Sequence, residues 1–118
     1  MNRPRDLEIA AAKLHTSRET NEPISSLFRG VEQCTIDDAY AVQNINTGRW
    51  LHLGRKISGL KIGLTSKAVQ QQFNVDQPDF GVLFSDMQRP AEAPISIAQF
   101  MQPRIEVELA FEIARPIN

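Results

Sequence analysis

The chain has 118 residues, 42% of them hydrophobic and 23% charged, with 13 Lys and Arg against 14 Asp and Glu for a formal net charge of -1. Such a length accommodates one hydrophobic core, and the composition is that of a globular domain rather than a disordered or collagen-like chain. The near-neutral balance gives no overall field for nucleic acid or an anionic membrane, and a single cysteine excludes an intramolecular disulfide and a cysteine-rich zinc site. Met1 to Leu14 holds no apolar stretch of signal-peptide length, and no run reaches the length of a membrane span. The lone thiol suits a reducing cytoplasm.

Leu7, Ala10, Ala11 and Leu14 recur at helical spacing and predict an amphipathic helix over 5–18, opened near Pro4. Thr20 to Gly30 carries turn chemistry, with a short helical turn around Ser26 to Arg29. Thr35 is an N-cap candidate for a second helix, with Asp37 and Asp38 at the positive end of its dipole. That helix runs through Ala39, Val42 and Ile45 toward Trp50, weakened by Gly48. Cys34 reads as a small buried hydrophobe rather than a nucleophile. The basic stretch Arg49 to Lys56, with Trp50 inside it, reads as a solvated connection; neither His15 nor His52 has a ligand or triad partner at a telling spacing.

From Ile57 the period changes to two. Leu60, Ile62 and Leu64 alternate with Gly59, Lys61 and Gly63, which predicts a strand. Ser66 then caps a short helix, Lys67 to Phe73, closed by Asn74, a residue that tolerates the left-handed conformation. A loop over Asp76 to Gly81 leads into a short strand, Val82 to Phe84. Pro90 and Pro94 bracket a further loop, and Ile105 to Ala114 alternates as a last strand. Helices followed by short strands predict an α+β fold.

Four features carry chemistry. Glu106 and Glu108, two apart on a strand, have Cα atoms about 6.7 Å apart on one face, so their carboxylates can converge. An enclosed pair of this kind wants a proton or a hard cation such as Mg²⁺ or Mn²⁺, while an open one is the solvated face of an amphipathic strand. Lys61 has glycines at both same-face neighbours, which clears space for an oxyanion or a proton transfer, or else serves a bulge beside a lysine reaching solvent. Asp79, between Pro78 and Phe80, reads as a general base or as the organiser of a turn. Arg104 reads as a clamp for a substrate carboxylate or as a charge partner of the acids.

Taken in order, Lys61-Ile62-Gly63-Leu64-Thr65-Ser66, Val69-Gln70-Gln71-Gln72, Val75-Asp76-Gln77-Pro78-Asp79-Phe80-Gly81 and Gln102-Pro103-Arg104-Ile105-Glu106-Val107-Glu108 resemble the 2-keto-4-pentenoate hydratase family, as does Asp38-Ala39-Tyr40-Ala41-Val42-Gln43. That family groups with 4-oxalocrotonate decarboxylases and 2-oxohept-4-ene-1,7-dioate hydratases in the fumarylacetoacetate hydrolase superfamily. The resemblance implies an incomplete fold of that superfamily, helical over 1–53 and entering a mixed β-sheet core over 54–118. It implies Glu106 and Glu108 as two ligands of Mg²⁺ or Mn²⁺, Lys61 and Asp79 as proton-moving catalytic residues, and Arg104, Thr65 and Ser66 as substrate contacts. The implied reaction adds water to 2-hydroxypenta-2,4-dienoate, giving 4-hydroxy-2-oxopentanoate, in a homo-oligomer with no nucleic-acid or membrane partner. The family is more than twice this length, so the chain is expected to be an N-terminal portion that lacks the third metal ligand. The rival reading is a catalytically silent fragment that associates with other chains through its last strand.

Overall fold

A computed structural model describes residues 3–27 and 34–116. Helix α1 spans Arg3–Thr20 and α2 spans Ile36–His52, followed by strand β1 (Ile57–Gly63), helix α3 (Lys67–Gln72) and strand β2 (Asp79–Phe84). Single 3₁₀ turns sit at Ser85–Met87 and Ile97–Gln99. Among the described residues no helix is long and apolar enough to cross a membrane.

Helix α2 opens as its sequence dictates. The Thr35 hydroxyl accepts from the Asp38 amide at 3.2 Å, and an Asp38 carboxylate oxygen accepts from the Thr35 amide at 2.9 Å, so two orphan donors are satisfied reciprocally. All three helices close the same way. Asn21, Gly54 and Asn74 take positive φ of 56°, 88° and 54°, and the next amide returns to the carbonyl five residues back: Glu22 to Ser17, Arg55 to Trp50, Val75 to Gln70. Only Gly, or Asn at modest cost, enters that region readily.

The helices α1 and α2 pack through Ala10, Ala11 and Val42, with Leu7, Leu27 and Ile45 against them. Small alanines let the axes approach, and the buried Asn46 of α2 spans the gap by donating to the Ala11 carbonyl at 3.0 Å. Gly48 does not interrupt α2, which carries Trp50 to the hairpin. There the Trp50 ring meets Phe84 edge-on, with centroids 5.6 Å apart, and the Arg55 guanidinium lies 4.1 Å from the Phe84 ring. Arg55 also donates to both carboxylate oxygens of Asp86, at 2.7 and 2.6 Å. The stretch expected as a solvated connection is thus the end of a helix plus an arginine packed on the Trp50 and Phe84 rings.

Strands β1 and β2 form an antiparallel pair, the two-stranded sheet of the described residues, with a bulge at Ser58 between Ile57 and Gly59. Asp79 to Gly81, expected in a loop, already belong to β2, since Gly63, Ile62 and Lys61 are there to pair with them. Cys34, expected buried, is exposed. Residues 28–29 of the expected turn lie outside the described residues. The largest departure is the last expected strand: 105–114 forms no ladder, and Ile105, Val107, Leu109 and Phe111 are 96, 98, 88 and 84% exposed. Alternation supplies a strand with a face, but a strand exists only when a neighbour takes its amides, and none does among the described residues.

Candidate active site

The β hairpin brings Lys61 and Asp79 together. Lys61 lies opposite Gly81 and Asp79 opposite Gly63, so the two charged residues are diagonal neighbours on one face. Nζ stands 4.0 Å from Asp79 Oδ1, with the two side chains 48 and 56% exposed. An ion pair this open is screened and adds little to stability.

The glycines make the niche. A Cβ built on Gly63 overlaps the Asp79 carboxylate and comes within 3.2 Å of Lys61 Nζ, while a Cβ on Gly81 sits 3.0 Å from Lys61 Cγ. The Asp79 carboxylate therefore rests over Gly63 and the Lys61 stem over Gly81. Gly59, expected to clear space for the lysine, instead faces Leu83 Cδ1 at 3.8 Å.

Beyond β1 the chain turns through Leu64, whose φ of 54° is unusual for a branched-chain residue and costs of order 1–2 kcal/mol. Gln70 holds this turn by donating to the Leu64 carbonyl at 2.7 Å. Thr65 is exposed, and Ser66 Oγ accepts from the Val69 amide at 3.2 Å as the cap of α3. A cavity of about 270 Å³ beside Asp79 is lined by Tyr40, Gln43, Leu64, Val75 and Phe80. A larger cleft of about 540 Å³ near Trp50 contains neither Lys61 nor Asp79, and its Arg55 is already satisfied by Asp86.

Arg104, Glu106 and Glu108 are exposed on the extended 105–114 segment or beside it, and no hydrogen bond or ion pair among the described residues joins them to the Lys61–Asp79 pair. Two carboxylates at that spacing are suitable hard donors for a divalent ion, but no group of three His, Cys, Asp or Glu side chains able to hold a metal occurs among the described residues. Sequence reasoning missed Tyr40 and Gln43, whose i, i+3 spacing on α2 was the available signal. Tyr40 Oη accepts from the Phe80 amide at 3.0 Å, and Gln43 Nε2 donates to the Phe80 carbonyl at 3.1 Å.

No family model matches the chain. Over 115 residues it is 43% identical to a 2-keto-4-pentenoate hydratase of Paraburkholderia xenovorans strain LB400, a match that takes in 98% of this chain and 43% of the relative. Over 114 residues it is 40% identical to a 2-oxo-hept-4-ene-1,7-dioate hydratase of Escherichia coli, covering 93% of this chain and 41% of that protein. The solved 4-oxalocrotonate decarboxylase of Pseudomonas putida G7, complexed with magnesium and adipate, superposes with a TM-score of 0.65 at 31% identity, over 73% of this chain and 32% of the other. The chain thus spans about two-fifths of the length of the curated relatives it matches. Matched over nearly its whole length at these identities, the chain is similar to part of the 2-keto-4-pentenoate hydratases.

Proposed function

We propose that this sequence supplies the proton-moving pair and two metal ligands of a divalent-metal-dependent hydratase acting on 2-hydroxypenta-2,4-dienoate. The observation that supports the reading best is the Lys61–Asp79 pair, seated over glycines and open to a ligand, in a chain 43% identical to a 2-keto-4-pentenoate hydratase. Ketonisation first removes the C2 hydroxyl proton and delivers one to C5, giving the 2-oxo-3-enoate. Water then attacks C4 and loses a proton while C3 takes one up, giving 4-hydroxy-2-oxopentanoate. An ammonium is a donor and a carboxylate an acceptor, and Lys61 and Asp79 set 4.0 Å apart provide both within reach of one substrate. Arg104, Thr65 and Ser66 are the proposed substrate contacts, an arginine fork suiting the substrate carboxylate. Glu106 and Glu108 are the proposed ligands of a divalent ion, Mg²⁺ or Mn²⁺, which when bound takes up negative charge on the substrate oxygens.

The test is the loss of 2-hydroxypenta-2,4-dienoate absorbance in the presence of Mg²⁺. The 118-residue chain alone, carrying a partial ligand set, is expected to turn over little. Fused to the remainder of the Paraburkholderia relative, it is expected to be active, with activity lost in Glu106→Ala. A folded but inactive fusion sinks the reading and favours a catalytically silent fragment. The likeness to the decarboxylase fold supports a second reading, in which carbon dioxide is released from 4-oxalocrotonate by the same fusion.

A further inference from the structure

We infer that Tyr40 and Gln43 of α2 are positioning residues that set the Asp79 carboxylate against Lys61. The six atoms of a peptide unit are coplanar, so the unit that contains the Phe80 amide also contains the Asp79 Cα. By accepting from that amide at 3.0 Å, Tyr40 fixes the plane from which the Asp79 side chain departs. Gln43 fixes the following plane through the Phe80 carbonyl at 3.1 Å. Both peptide units that flank Phe80 are thereby tied to one helix.

The tie falls where the hairpin is weakest. Asp79 is the first residue of β2 and faces Gly63, the last residue of β1, so no further ladder holds that end. The Phe80 amide, spent on Tyr40, is a donor on the edge of β2 away from β1, where a loose strand end frays. The mount is firm: α2 is fixed at its start by the Thr35–Asp38 box and tied to α1 by Asn46. Tyr40 and Gln43, three residues apart, project from one face of that helix, so a single rigid element delivers both bonds.

The inference gains its catalytic meaning from the proposed role of Lys61 and Asp79, but its test reads geometry without turnover, so either can fail alone. The 118-residue chain is treated with a zero-length carbodiimide, and the Lys61–Asp79 isopeptide is quantified by peptide mass spectrometry. Tyr40→Phe removes the acceptor, and Gln43→Met removes the donor at similar length. Each is expected to lower the coupling yield about fivefold, the weight of one ordinary hydrogen bond. Gln43→His, which keeps an N–H donor, is expected to restore most of the yield. Thermal melts by circular dichroism are run on all variants, and the two loss variants stand independently should one fail to fold. Coupling that stays at the wild-type level in folded Tyr40→Phe or Gln43→Met overturns the inference. So does a Gln43→His yield as low as that of Gln43→Met.

Discussion

A methyl group at position 63 has no room while Asp79 keeps its place, whereas one at position 81 meets only the flexible stem of Lys61. Gly63→Ala is therefore expected to displace the Asp79 carboxylate and abolish its coupling to Lys61. Overall stability should change by less than about 1 kcal/mol, because alanine loses less entropy than glycine in a strand. Gly81→Ala should leave the coupling near wild type, and comparing the two in the carbodiimide assay checks the prediction. Asp86 makes a different single-residue prediction. Its hydrogen bonds from Arg55 hold the carboxyl below its ordinary value, helped by the nearby charge of Arg18. A carboxyl depressed in the folded state stabilises above its unfolded value, and that contribution is lost as pH falls through the folded one. Melting temperature should thus decline below about pH 4 more steeply in wild type than in Asp86→Asn. The effect is small, since Asp86 is open to solvent.

At the scale of elements, local chemistry was enough where the stabilising partners are close in sequence. Thr35, Ser66 and Asn74 announced a helix start, another start and a helix end, and each does that work. Removing the box with Thr35→Ala should cost about 1 kcal/mol, read as a lower midpoint in urea with an unchanged slope. The same logic explains what was illegible. Pro78 and Asp79 are turn residues by type and locally predict a loop at the start of β2, yet Asp79 pairs across 16 positions with Gly63. Lys61 and Asp79 were each recognisable as chemistry-bearing, but their meeting depends on hairpin register, and the Tyr40–Gln43 tie depends on where α2 lands. Those are long-range facts: the i, i+3 spacing puts Tyr40 and Gln43 on one face of α2 but does not say what that face meets.

For the whole molecule, the contrast is between a helical pair and hairpin that pack on each other and a segment, 105–114, that packs on nothing described. Backbone amides without partners exchange freely, so hydrogen exchange of 105–114 should approach the rate of an unstructured peptide. Amides of α1, α2 and the β1–β2 ladder should exchange much more slowly; protection across 105–114 would contradict the structure. The sequence by itself determined the helices, the caps at Thr35, Ser66 and Asn74, the alternating apolar pattern of the last segment and the inventory of Lys61, Asp79, Glu106 and Glu108. These follow from propensity and period, which act over a few residues. Only the tertiary structure decided that Lys61 and Asp79 share a niche over Gly63 and Gly81, and that α2 holds the strand beside them. It also left Glu106 and Glu108 apart from that niche, because a strand needs a neighbour to pair with, and periodicity cannot supply one.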